Sequence, residues 1–212
     1  MVYTIGLLGT HGTGNTALAA LIAGDLKRRG IEAKFIGEIA TQAKEKGLPI
    51  NENTTIKTQL WILHRQFAEE LAFSSQRQDR PNYEVIICDR GPDNYCYLEH
   101  NLGKNNYALN ITLGHLQVAP YSRLYLLPIT NSDRIVGNGT RSVNIEFQKK
   151  MDLKIKEFLG EHNISFIELP VPHKKDSFRD DWIKMVVNQT LKDLGHPEEF
   201  FIQQTLFDFK DK

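Results

Sequence analysis

One short stretch near the start of the chain, Gly9-Thr10-His11-Gly12-Thr13-Gly14-Asn15-Thr16, has residue types and spacing suited to holding phosphate. Loops of that kind read Gly, four residues, Gly, Lys, then Ser or Thr. Gly9, Gly14 and Thr16 fall on the required positions, and Asn15 stands where the lysine belongs. Glycines let the backbone turn so that successive N–H groups converge into an anion-binding nest. A helix starting at the loop adds the positive end of its dipole. Thr16 is placed to put its hydroxyl on a Mg²⁺ ion. Asparagine is short and neutral, so the ammonium that meets the terminal phosphates during transfer is missing. Losing one such donor lowers turnover more than affinity, by ~10²–10³ in rate.

Four further candidates are charged residues at the ends of apolar runs or in a polar loop. Glu38 follows Ala33 to Gly37, and Asp89-Arg90 follows Val85 to Cys88. Arg134 and Arg141 lie in the polar stretch from Pro128 to Ser142, which is long for a loop without a task. Each has a plainer reading. Glu38 suits the cap of a helix beginning at Ile39, Asp89-Arg90 a structural ion pair, and the two arginines solvated loop charges. His11 suits loop shaping better than acid–base work. The other six histidines show no metal-ligand spacing, which argues against protein-bound zinc.

These residues need elements to position them. Val2 to Leu8 reads as a strand buried on both faces, followed by a helix over 14–29 with Leu18, Leu21, Ile22 and Leu26 inward. Further strands are expected at 33–37, 85–88, 123–127 and 164–169. Helices are expected at 39–46, 53–76, 93–101, 108–118, 145–159 and 182–194. The helix starting at Asn53 is expected to bury a stripe of Ile56, Leu60, Leu63, Phe67 and Leu71, leaving Gln59 and Arg65 to face a cleft. Strands alternating with helices predict an α/β fold: a three-layer arrangement around a five-stranded parallel sheet, with ligands at the carboxyl ends of the strands.

Composition sets the frame. The 212 residues suit one domain, over 1–195, with an aromatic tail over 196–212 expected to dock on it; a homodimer contact is the alternative for the tail. Lys plus Arg and Asp plus Glu are 26 each, which disfavours nucleic acid as a partner. No apolar run is long enough to span a membrane. Cys88 and Cys96 alone argue against a disulfide framework and point to the cytoplasm.

Taken together, the loop, Glu38, Asp89-Arg90 and the segment Gly137-Asn138-Gly139-Thr140-Arg141-Ser142 resemble P-loop kinases of the thymidylate-kinase and deoxynucleoside-kinase type. The resemblance is closest to the AAA-type ATPase family that includes ribosylnicotinamide kinase domains. It runs to about Leu194. That family often has Asp-Gly-x-Arg where this chain has Asn138-Gly139-Thr140-Arg141. The resemblance implies that Gly9 to Thr16 bind ATP and that Thr16 and Asp89 hold Mg²⁺. It implies that Glu38 accepts the proton of an attacking hydroxyl and that Arg90 orients that carboxylate and the acceptor. Arg134 and Arg141 are then lid arginines that stabilise the transferring phosphoryl group, a role that contributes ~10³-fold or more.

The expected function is ATP- and Mg²⁺-dependent phosphoryl transfer to a small hydroxyl- or phosphate-bearing metabolite, nucleoside-, nucleotide- or ribosylnicotinamide-like, impaired at Asn15. A nucleotide-binding switch without efficient catalysis and a kinase acting on an RNA end are the alternatives. For Asn15 three origins stay open. A deliberate change that traps nucleotide is placed first; the others are a natural variant recruiting a cation such as Arg141, and a binding protein that has lost catalysis.

Overall fold

The computed structural model describes residues 2–75, 83–130, 144–171 and 178–197. The apolar runs become strands β1 (Tyr3–Leu8), β2 (Ala33–Ile36), β3 (Val85–Asp89), β4 (Arg123–Leu126) and β5 (Ile167–Glu168). They form one sheet in the order β2-β3-β1-β4-β5, and every neighbouring pair is parallel. The expected five-stranded parallel α/β fold is therefore present. Helices α1 (Asn15–Arg28), α2 (Ile39–Glu45), α3 (Ile56–Ser74), α4 (Asn94–Leu102), α5 (Asn106–Val118), α6 (Ile145–Glu161) and α7 (Phe178–Asp193) surround it.

Alternation along the strands feeds two cores. Ile5, Leu7, Val85, Ile87 and Tyr125 point to a face covered by α1 and α7, where Leu18, Ile22, Leu26, Trp182, Val186 and Leu191 are buried. Leu8, Leu124 and Leu126 point to the opposite face, against residues of α3, α4, α5 and α6. The α6 stripe of Phe147, Met151, Ile155, Phe158 and Leu159 is buried as its spacing predicts. Among the described residues, no helix is long and apolar enough to cross a membrane.

Several boundaries and faces differ from the expectation. Asn51–Asn53 forms a separate 3-10 turn, and the α3 cap is Thr55, whose hydroxyl accepts the Thr58 N–H at 3.3 Å. Along α3, Ile56 and Leu71 are exposed, while the buried face carries Thr58, Gln59, Gln66 and Glu70 beside Ile62, Leu63 and Phe67. Glu70 is the centre of the polar contacts on that face. Glu70 accepts from the Tyr121 hydroxyl at 2.7 Å and from Gln66 Nε2 at 2.6 Å, and its other oxygen lies 2.7 Å from His115 Nε2. Leu21 of α1 is likewise exposed, its place taken by Ala19 and Ala23. The strand expected over 164–169 pairs only through Ile167 and Glu168, because it is the sheet edge and Ile164 and Phe166 pack on the second core instead.

Helix α7 is fixed at both ends. Near its start, buried Trp182 donates its indole N–H to Pro170 O at 2.9 Å. At its foot, Asp193 accepts from the Tyr3 hydroxyl at 2.5 Å and from Arg123 Nε at 2.8 Å. The aromatic tail beyond residue 197 lies outside the described residues.

Candidate active site

The glycine loop runs from the end of central strand β1 into α1, at the carboxyl edge of the sheet. Gly14 takes the N-cap position of α1 with φ 95°, a conformation that strains any L side chain. Gly9 is required for space as well. A methyl there would lie 2.9 Å from Thr13 Oγ1 and 3.3 Å from Asn15 Oδ1.

Asn15 is turned into the loop. Its Nδ2 donates to Leu7 O at 2.8 Å, and its Oδ1 accepts from the Thr13 hydroxyl at 2.6 Å. The Thr13 hydroxyl also lies 2.8 Å from Thr10 O, so one proton serves two acceptors. Leu7 O can only accept, which fixes the amide orientation. The asparagine is thus an internal strut of the loop, and both its polar groups are engaged by the chain itself.

Beneath the loop, the turn after β3 grips Gly9 from both sides. Arg90 Nη1 donates to Gly9 O, and Gly9 N–H points at Asp93 Oδ2 at 3.4 Å. Arg90 also donates to Asp93 at 3.2 Å, and its guanidinium lies 4.8 Å from the Tyr97 ring centroid. Its backbone sits at φ 89°, a strained value for a residue with a Cβ, held by an N–H bond to Leu7 O at 3.1 Å. Burial opposes the Arg90 charge, but Tyr97, Asp93, Glu38 and Asp89 outweigh it and push its pKa up. Arg90 therefore braces the loop, a task that the sequence reading did not give it. Asp93, fully buried, was not singled out at all. Its only signal is its place in the turn Asp89-Arg90-Gly91-Pro92-Asp93.

Asp89 stands at the end of β3 beside the Thr16 hydroxyl, which hydrogen-bonds to it. Its Oδ2 is buried and has no hydrogen-bond partner among the described residues. Burial, reinforced by the charge of Glu38, raises the Asp89 carboxyl from 3.8 to about 7, against the opposing pull of Thr16 and Arg90. A buried carboxylate oxygen left open beside a hydroxyl fits a hard divalent cation, which takes oxygen ligands.

Glu38 occupies the N-cap position of α2, yet its side chain makes no capping bond and accepts instead from the Thr41 hydroxyl at 3.1 Å. It lines a cavity of about 460 Å³, mouth included, together with His11, Gln59, Arg90, Asn94 and Tyr97. Ile50 and Ile62 supply apolar wall. Gln59 is thus in the cleft, held by a bond from Nε2 to Thr54 Oγ1 at 2.9 Å. Arg65 is not; it pairs with Glu69 on the exposed side of α3. His11 is buried, with its ring 5.2 Å from that of Phe147 and its carbonyl accepting from Gln148 Nε2 at 2.7 Å. The geometry unites the loop, Thr16, Glu38, Asp89 and Arg90 at one edge of the sheet. Arg134 and Arg141 lie outside the described residues.

The sequence matches the AAA domain family over residues 4–176. The chain belongs to that family. No curated protein sequence matches it. Three solved structures extend the comparison to the fold of this AAA domain. NadR protein in complex with NR shares 14% identity at a TM-score of 0.67, over 91% of this chain and 50% of its own. NadR in complex with NAD and AMP-PNP gives 14% and 0.65, over 89% of this chain and 49% of its own. Deoxyadenosine kinase from M. mycoides, with products dCMP and dCDP bound, gives 18% and 0.56, over 89% and 99%. The chain spans about half the length of the NadR structures it matches. The expected AAA-type family is thereby found, and the likeness to P-loop kinases holds at the level of the fold.

Proposed function

We propose that this protein transfers a phosphoryl group from ATP to a small hydroxyl-bearing acceptor of nucleoside-like or ribosylnicotinamide-like shape. The observation that carries this reading is the cavity in which Glu38 and Arg90 stand against the phosphate loop at His11. Its mixture of apolar wall with a few convergent polar groups suits a small molecule. The fold shared with NadR bound to NR and with deoxyadenosine kinase supports a nucleoside-like acceptor.

In the proposed reaction the acceptor oxygen attacks the terminal phosphorus, the bond to the bridging oxygen breaks, and ADP leaves. Glu38 takes the acceptor proton. Thr16 and Asp89 would hold Mg²⁺, which when bound neutralises phosphate charge. The loop N–H groups hold the phosphates, and Arg90 keeps Gly9 in place under them. Two buried free cysteines agree with a reducing, cytoplasmic setting.

The internal bonding of Asn15 favours a second reading, a nucleotide-binding switch with little catalysis, because no ammonium reaches the phosphates from position 15. The two readings part in one experiment. Nucleotide affinity and transfer to a nucleoside panel are measured for the parent chain and for Asn15→Lys. The kinase reading expects transfer to rise roughly tenfold or more in Asn15→Lys with affinity little changed. Adding Glu38→Gln should then lower kcat by ~10²-fold or more. Tight nucleotide binding with no transfer by either form would establish the switch instead.

A further inference from the structure

The cation that position 15 lacks has a structural substitute. Arg179, one residue into α7, brings its guanidinium to the open side of Gly14. A methyl on Gly14 would lie 3.6 Å from Arg179 Nη2 and 3.8 Å from Nε, ordinary contact distances. Gly14 is the residue from which α1 starts, and it carries no side chain to cap the helix. The guanidinium therefore stands where the loop N–H groups and the first turn of α1 present their positive end.

Arg179 faces the positive end of α1 and shares the first turn of α7 with Asp180 and Asp181. The helix that carries Arg179 is fixed. Trp182, one turn further along, is anchored to Pro170, and Asp193 is clamped to Tyr3 and Arg123 at the foot of the helix. A guanidinium beside the N–H groups of the loop adds its charge to their attraction for an anion. Asp89 Oδ2, buried and without a hydrogen-bond partner among the described residues, fits the divalent cation that accompanies a phosphate chain.

We infer that Arg179 binds the phosphate chain of the nucleotide and takes over, from α7, the charge-neutralising duty of the lysine replaced by Asn15. The inference rests on the loop being a nucleotide site. It explains how the loop tolerates an asparagine whose amide is used as a strut. A guanidinium also grips two phosphate oxygens at once, which a lysine does not.

The test uses the full chain and ATP, ADP and adenosine with Mg²⁺, followed by titration calorimetry. Arg179→Gln should weaken ATP binding about tenfold or more, leave adenosine binding within about twofold, and flatten the salt dependence of ATP affinity. Arg179→Lys should keep part of the affinity. Asn15→Lys introduced into Arg179→Gln should recover at least half of the loss on a logarithmic scale, a rescue that a merely structural arginine would not show. Equal ATP affinity in the parent chain and Arg179→Gln overturns the inference. So does an equal loss for ATP and adenosine, or a parent chain that binds no ATP. ATP binding that depends on Arg179 in a chain that transfers phosphate to no acceptor would uphold the inference and remove the kinase reading alone.

Discussion

Asp89 and Asn15 show two ways in which one side chain sets the behaviour of the loop. Asn15 closes the loop on itself through Leu7 O and Thr13. Asp89 leaves an oxygen open, and its carboxyl is raised from 3.8 to about 7 by burial and by Glu38. The sign follows from the cause. Burial disfavours the charged form, so this group favours the unliganded fold below the unfolded pKa of 3.8, and the contribution is lost as pH rises through about 7. A divalent cation needs the carboxylate and must displace the proton when the pH is lower than that. Mg²⁺ affinity in the presence of ATP is therefore expected to fall by up to about tenfold per pH unit below pH ~7 and to level off above pH ~8. Calorimetry in buffers of different protonation enthalpy should show proton release approaching one per ion at about pH 6. Affinity and proton release that do not vary across this range would take Asp89 out of the metal site.

At the scale of elements, α3 carries the most consequential departure from its sequence pattern. Glu70 is 3% exposed and answers three donors or shared protons, from Gln66, His115 and Tyr121. These tie α3 to α5 and to the entry of β4. Glu70→Ala would leave buried Gln66 and His115 and part-buried Tyr121 without their acceptor, and a loss of ~3–5 kcal/mol in unfolding free energy is expected. Glu70→Gln, which keeps the shape, should lose less. Urea unfolding of the two variants checks this, and a loss below ~1 kcal/mol for the alanine form would contradict it. The phosphate loop, by contrast, was legible from sequence because its chemistry is local: glycines and a hydroxyl at fixed spacing announce the turn. Glu38 and Asp89 were legible because they end apolar runs. The polar face of α3, Asp93 under Gly9 and Arg179 beside Gly14 were not, since each acquires its meaning from a partner far away in the chain. Periodicity can count apolar positions, but it cannot distinguish a polar residue facing water from one facing another buried polar group.

On the scale of the whole molecule, the parallel sheet gathers residues from separate crossovers at one edge, and the helices fix how far each can move. Helix α7 spans from Asp193, bonded to the start of β1 and β4, to Arg179 at the loop. The turn after β3 holds Gly9 at its N–H and at its carbonyl. This last feature bears on how binding energy is divided between order and contact. A loop already gripped on both sides of one glycine has little conformational entropy left to lose when phosphate arrives, so more of the contact energy is retained as affinity. The Gly9 amide should consequently exchange its hydrogen slowly in the nucleotide-free protein, and nucleotide should protect it little further. Arg90→Ala should convert the same amide into a fast exchanger that nucleotide slows markedly. Fast exchange of Gly9 in the parent chain would mean that the nest forms only around its ligand.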